Sequence, residues 1–209
     1  MASNNHFDIL ITGAKGFTGK HFINLARAKG LKTRALLADI TDADSVEKEI
    51  LSIQPNMVLH LAGISFVPSK DQEAFYKVHA LGTGNLLSAL CKIQTKPHKI
   101  LLASSATVYG NTLQAQSIET QTLSPVDHYA ISKVAMEEAA KTYFDRLPII
   151  IARPFNYTGP GQHSNFLIPK FIEHFASRQP QIELGNLHVE REFNDVEIIC
   201  GAYLALLQY

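Results

Sequence analysis

Three stretches of this 209-residue chain hold residues whose types and spacing can do chemistry. The first is Gly13-Ala14-Lys15-Gly16-Phe17-Thr18-Gly19. Glycines so spaced let the backbone turn tightly and approach a pyrophosphate, and a helix opening there offers unpaired N–H groups to the anion. An ordinary glycine-rich βα turn has the same look. The second is Tyr129-Ala130-Ile131-Ser132-Lys133. On a helix the i, i+4 spacing puts tyrosine and lysine on one face, one turn apart. An unperturbed tyrosine, with a pKa of about 10, is a poor acid–base catalyst near neutrality. A nearby ammonium stabilises the phenolate and lowers that value. Alone, the pattern is common and is usually a solvated helix face. The third is Ser104-Ser105-Ala106-Thr107-Val108-Tyr109-Gly110. A hydroxyl at a strand end can hydrogen-bond a reacting carbonyl oxygen beside the tyrosine; a plain Ser/Thr junction is the alternative.

The elements that must position these residues are readable. Phe7 to Thr12 is a short β-rich run, ending in the glycine turn. A helix follows, with Phe17, Phe22, Ile23, Leu25 and Ala26 apolar, and Gly30 stops it. Thr33 to Leu37 reads as a second strand, and Asp42 caps a helix whose face is Val46, Ile50 and Leu51. Met57 to Leu61 is a third strand, and a long helix follows from about Asp71 to Lys92. Lys99 to Ala103 is the fourth strand, with the serines at its end. The Tyr-Lys helix runs from about Asp127 to Phe144, and Pro148 to Ala152 is the fifth strand. Continuous apolar strands alternating with amphipathic helices predict a doubly wound α/β fold, a Rossmann-type parallel sheet covered on both faces. Ligands bind such sheets at the carboxyl ends of the strands.

After Arg153 the texture changes. Asn156 to Asn165 is rich in Gly, Asn and Pro, and leads to a helix near Phe166 to Ser177 and another near Val196 to Leu207. We divide the chain into a dinucleotide-binding domain, residues 1–153, and the start of a smaller, apparently truncated substrate lobe, residues 154–209. The composition is that of an ordinary globule, 46% hydrophobic and 18% charged, large enough to fold without staples. Nineteen basic and nineteen acidic residues balance, which points away from nucleic acid or a membrane surface as partner. Cys91 and Cys200 have no metal or redox spacing, and no metal site is expected. No signal-peptide pattern or membrane-length apolar run occurs, so a cytoplasmic location is expected.

The glycine turn, the strand-end serine and Tyr-x-x-x-Lys occur in the order, and on the elements, that dinucleotide chemistry needs. In combination they resemble the extended short-chain dehydrogenase/reductase family of sugar-nucleotide epimerases, dehydratases and reductases. His60-Leu61-Ala62-Gly63, Gly82-Thr83-Gly84-Asn85-Leu86-Leu87 and Arg153-Pro154-Phe155-Asn156 match it too. Within the family, the stretches Arg153 to Gln162, Gly185-Asn186-Leu187 and Arg191 to Val196 are most similar to reductases of GDP-4-keto-6-deoxymannose.

The resemblance implies that Ser105, Tyr129 and Lys133 form a catalytic triad. It implies a nicotinamide dinucleotide held by Gly13, Lys15, Gly16, Phe17, Thr18 and Gly19. Leu61, Ala62, Gly63, Pro154 and Phe155 would lie along it, with Tyr129 and Lys133 at its reacting end and Asp39 and Ile40 at the adenine. Thr107, Asn156, Lys170 and Arg191 would face the nucleotide-sugar substrate, a guanidinium suiting a diphosphate by charge and forked donors. It also implies a homodimer through the helix after the third strand and the Tyr-Lys helix, with Ala80, Leu87, Ala89 and Leu90 as apolar surface, some of which must face the sheet. The expected reaction is reduction of a 4-keto-6-deoxy sugar on a GDP carrier. The rivals are a sugar-nucleotide epimerase and a truncated, catalytically silent dinucleotide-binding protein.

Cofactor choice can be read from charge. An NAD site of this fold usually has an acid about 20 residues past the glycine turn. Here that count reaches Thr33 and Arg34, and no Asp or Glu lies between Asp8 and Asp39. Lys15 and Arg34 can approach a 2′-phosphate, so NADP is expected, with NAD the alternative. Three departures from the family stand out. His79 occupies a position where members usually have asparagine, a residue that supports the cofactor and active-site water there. Only one short strand separates Gly30 from Asp39, where members often have another. The resemblance also implies roughly another hundred residues beyond Tyr209.

Overall fold

A computed structural model describes residues 8–65, 71–111, 116–185, 188 and 190–209. Phe7, placed above in the first strand, and Asn186 and Leu187 of the Gly185-Asn186-Leu187 stretch lie outside the described residues. The fold is the doubly wound α/β architecture. Strands β1 (Ile9–Thr12), β2 (Thr33–Ala35), β3 (Met57–His60), β4 (Lys99–Ala103) and β5 (Ile149–Ala152) form one parallel sheet, in the order β2-β1-β3-β4-β5. All four residues of β1 are buried, as expected of a strand covered on both faces.

Helix α1 (Phe17–Ala28) lies on one face. Helix α2 (Ala43–Ile53) lies on the other, capped by the Asp42 side chain, which accepts from the Ser45 amide at 3.2 Å. The long helix expected after β3 is present but not uniform. It starts as α3 (Gln72–Tyr76), capped by Asp71, passes through a π-helical turn, Lys77–Leu81, and continues as α4 (Gly82–Lys92). π-turns are rare and concentrate at functional sites. The Tyr-Lys helix α5 spans His128–Lys141, capped by Asp127.

The second strand is shorter than the expected Thr33 to Leu37. Beyond Ala35 the chain bends away, and the Glu49 carboxylate accepts the Leu37 and Ala38 amides at 3.0 and 2.7 Å. With no further strand before α2, β2 is the sheet edge. Glu49 satisfies amides that would otherwise be left open there.

Each face has its own core. Leu10, Val46, Ile50, Val58, Leu86, Leu90, Ile100 and Leu102 pack beneath α2, α4 and α5. On the other face Ile9, Ile11, Phe22, Leu59 and Leu101 meet Val196, Cys200, Tyr203, Leu204 and Leu207 of α7 (Val196–Gln208). Those five residues form one helical stripe. Helix α7 therefore covers the part of the sheet over β3 and β4 beside α1. Between β5 and α7 stand β6 (Asn156–Thr158), α6 (Leu167–Ala176) and β7 (Phe193–Asp195). The parallel β6–β7 pair was not expected. Its strands are only three residues long and pair across a gap that no local pattern spans. Among the described residues no helix is long and apolar enough to cross a membrane.

Candidate active site

The glycine turn sits at the carboxyl end of β1. Gly13 has φ +69°, and a Cβ there would stand 2.8 Å from the Ala62 nitrogen and Leu61 carbonyl. At Gly19 a Cβ would lie 2.5 Å from the Gly13 carbonyl oxygen. These glycines let the turn, the start of α1 and the segment after β3 nest together. Gly16 caps α1 with no side-chain hydrogen bond, and no acid occupies the first turn. The helix start thus keeps its positive end free of a competing side-chain oxygen. This cradle fits the pyrophosphate of a dinucleotide. Lys15 is exposed in the turn.

The wall beside it, Leu61, Ala62 and Gly63, is held by a buried relay. The Thr12 hydroxyl oxygen accepts the Leu61 and Ala62 amides at 3.1 and 3.0 Å. Its own proton is then left for His60 Nδ1, 2.7 Å away. His60 therefore carries its hydrogen on Nε2 and donates to Thr83 Oγ1 at 2.8 Å. Burial, with Lys133 adding to it, pushes His60 down to about 3, so the ring is neutral.

Helix α5 turns one face to the strand ends, with Tyr129, Lys133 and Glu137 four residues apart. Ser105 is hydrogen-bonded to the Tyr129 phenol. Its oxygen also accepts the Thr107 hydroxyl at 2.9 Å and the Thr107 amide at 3.2 Å. The Ser105 proton is thus left for Tyr129 or for a substrate oxygen. The Lys133 ammonium donates to the Ala103 carbonyl at 2.9 Å. Burial lowers it to about 8, while Glu137 works the other way.

Tyr129 behaves differently from the expectation that Lys133 would lower its pKa. Burial pushes it up to about 12, against the hydrogen bond from Ser105. Desolvation of the phenolate outweighs the stabilising contact, so the resting phenol is protonated. Its ring packs edge-on against Phe75 and His79, with centroids 5.9 and 5.6 Å away.

One supporting network was missed from the sequence. Buried Glu137 accepts from Arg153 Nε at 3.0 Å and Nη2 at 2.6 Å, and also from the Ser104 hydroxyl. Arg153 Nη1 donates to the Tyr109 hydroxyl at 3.1 Å. These contacts tie the ends of β4 and β5 to α5 and so fix the backbone that carries Ser105. The available signal was an acid at i+4 from Lys133 on an apolar face.

The other expected residues are spread out. Phe17 stacks on Tyr157 at 6.3 Å, and Thr18 shares a 2.9 Å hydrogen bond with the Tyr157 hydroxyl. Arg34 is exposed on β2, opposite Leu10. Asp39 accepts the Thr41 amide and hydroxyl. Ile40 turns inward, where a Cβ on Gly82 would meet its Cγ2 at 2.9 Å. Pro154 is half-buried and Phe155 exposed, just past β5. Asn156, on β6, pairs with Phe193 and donates to the Glu192 carbonyl, which brings it close to Arg191. Lys170, on α6, donates to the Glu183 carbonyl at 2.8 Å.

Part of the apolar surface expected for pairing faces the sheet. Leu87, Ala89 and Leu90 are buried under the sheet, because α4 packs on α2 and β3–β4 through that side. Leu81 and Ile131 are the exposed apolar residues of these helices, at 63% and 40%.

The family model described as "NAD dependent epimerase/dehydratase family" matches residues 9–209. The chain is 36% identical over 205 residues to a GDP-6-deoxy-D-talose 4-dehydrogenase of Aggregatibacter actinomycetemcomitans, covering 95% of this chain and 69% of that protein. It is 33% identical over 217 residues to a GDP-6-deoxy-D-mannose reductase of Pseudomonas aeruginosa, covering 96% and 70%. The structure of RMD from Pseudomonas aeruginosa complexed with NADPH superposes with a TM-score of 0.87 at 31% identity, covering 98% of this chain and 74% of that one.

Proposed function

The chain belongs to the NAD dependent epimerase/dehydratase family, and we propose that it is an NADP-using reductase of a 4-keto-6-deoxy sugar carried on GDP. The observation that carries this reading is the Tyr129–Ser105 pair at the ligand edge of the sheet. Burial pushes this phenol up to about 12, so it rests protonated at neutral pH, and it gives its proton up readily only where a positive charge stabilises the phenolate. Reduction of a ketone needs that proton at the carbonyl oxygen. The likeness to relatives named for GDP-linked 6-deoxy sugars supports the substrate class.

In this reading Ser105 donates to the sugar carbonyl oxygen and Tyr129 delivers its proton there. The bound nicotinamide supplies the hydride. The Lys133 ammonium, one helical turn from Tyr129, stabilises the phenolate left behind. Thr107 holds Ser105 in place and faces the substrate; Asn156, Lys170 and Arg191 bind its sugar and diphosphate. Lys15 and Arg34 meet the 2′-phosphate of the cofactor, and Leu61, Ala62, Gly63, Pro154 and Phe155 line it. We also propose a division into residues 1–153 and a substrate lobe from 154, rooted on the sheet by α7. A cytoplasmic homodimer through α4 and α5, with Leu81 and Ile131 at the contact, completes the reading; light scattering checks it.

The test is NADPH consumption with GDP-4-keto-6-deoxymannose, set beside UDP- and dTDP-linked keto sugars. Turnover of the GDP substrate to a 6-deoxy product is expected. Interconversion of sugar epimers with no net cofactor consumption would make the protein an epimerase. Dinucleotide binding without turnover of any keto sugar would make it a silent binding protein.

A further inference from the structure

His79 lies in the π-helical turn between α3 and α4 and is completely buried. Each of its ring nitrogens has a defined partner. The Ile64 amide, just past β3, donates to Nε2 at 3.0 Å. An amide can only donate, so Nε2 must be bare. Nδ1 lies 2.8 Å from the Ser132 hydroxyl on α5. Ser132 spends its own proton on the Tyr129 carbonyl at 2.7 Å, so its oxygen accepts. The hydrogen of His79 therefore sits on Nδ1, and the ring is neutral. Its face stacks on Phe75 at 5.9 Å and 24°, and it meets the Tyr129 ring near a right angle.

The same ring crowds Gly63. A Cβ built there would be 3.1 Å from His79 Nε2 and 3.5 Å from Lys133 Nζ. The imidazole thus touches the segment after β3, the helix that carries Tyr129 and Lys133, and the Tyr129 ring itself. An acceptor at one end and a donor at the other are both needed to bridge Ile64 to Ser132. A neutral imidazole supplies both at a fixed distance.

We propose that His79 is a positioning residue for Tyr129 and Lys133, a neutral Nδ1–H imidazole that clamps the Gly63–Ile64 backbone to α5 through Ser132. This rests on the reading of Tyr129 and Lys133 as the reacting pair. The clamp sets the distance between the cofactor wall and the proton donor, and it holds the Tyr129 ring against rotation. Its loss shows in turnover more than in cofactor binding, because the glycine turn that holds the pyrophosphate is untouched.

Two measurements test it. Nitrogen-15 NMR of histidine-labelled protein, with the His79 signals assigned by their loss in His79→Gln, reads the tautomer directly. The expected result is a protonated Nδ1 and a bare Nε2 near neutrality and unchanged down to about pH 5, well below the ordinary histidine value. A hydrogen on Nε2, or titration near that ordinary value, overturns the clamp. The second measurement compares kcat and NADPH affinity in three variants. His79→Leu removes both bridges and lowers kcat about 100-fold, as a misplaced reacting group does, with little change in NADPH affinity. His79→Gln keeps an acceptor for Ile64, and His79→Asn keeps a donor for Ser132; each recovers part of the loss. Wild-type kcat in a folded His79→Leu protein refutes the positioning role, as does an equal loss in all three variants that tracks their melting temperatures. If wild-type protein turns over no keto sugar, the proposed function fails while the NMR measurement still decides the clamp.

Discussion

Acid should destabilise this protein at a pH where most folds are indifferent. His60 and His79 are both held neutral in the fold, each pushed down to about 3, mainly by burial. In the unfolded chain a histidine titrates near 6.5. Between those values the unfolded state binds one more proton per histidine, so stability is complete above about pH 6.5 and is lost as the pH falls. Each contributes a slope of roughly 1.4 kcal/mol per pH unit. Over the interval from about pH 6.5 to 5 the pair removes roughly 4 kcal/mol, a large part of a typical total of 5–15 kcal/mol. Asp39 and Asp42 also sit below their ordinary value and act with the same sign. Their effect begins only near the carboxylate range, which leaves this window to the histidines. Lys133 works at the other end: lowered to about 8, it makes stability rise with pH between that value and its unfolded value near 10.4. Urea unfolding followed by circular dichroism at several pH values measures the slope, and His60→Asn should remove half of it. A stability that stays flat between about pH 6.5 and 5, or a slope unchanged in His60→Asn, would refute the assignment of neutral buried rings.

Three further outcomes are expected. Tyr129→Phe keeps the ring and removes the proton; turnover should fall by about 100-fold or more, with dinucleotide affinity retained, whereas Lys133→Ala should weaken both, and full activity in Tyr129→Phe would end the proposed mechanism. NADPH should bind more tightly than NADH, and Lys15→Ala combined with Arg34→Ala should reduce that difference, as direct titration of both cofactors will show; equal affinities throughout would remove these side chains from cofactor choice. Glu137→Ala leaves the Arg153 guanidinium and the Ser104 hydroxyl without their carboxylate, so chemical unfolding should show a loss of roughly 3–5 kcal/mol, and a change under about 1 kcal/mol would mean that water replaces the carboxylate.

What the sequence determined by itself was everything written in contiguous residues. The glycine turn, the strand-end serine and the Tyr129–Lys133 spacing are local patterns, and so are the apolar strands that fix a parallel, doubly covered sheet. The Asp42 cap was determined the same way, and so were the helix starts at Asp71 and Asp127, since each capping side chain and its amide are three residues apart. Tertiary structure alone decided which side chains meet across the chain. His79 reaches Ser132 over 53 positions and Ser104 reaches Glu137 over 33, and no periodicity encodes such pairs. Packing also decided that Leu87, Ala89 and Leu90 face inward, that α7 closes the second face of the sheet, and that β6 finds β7. It decided the ionisation of Tyr129 as well. The spacing to a lysine is written in the sequence, but the desolvation that raises the phenol against its Ser105 hydrogen bond exists only once the core has closed around it.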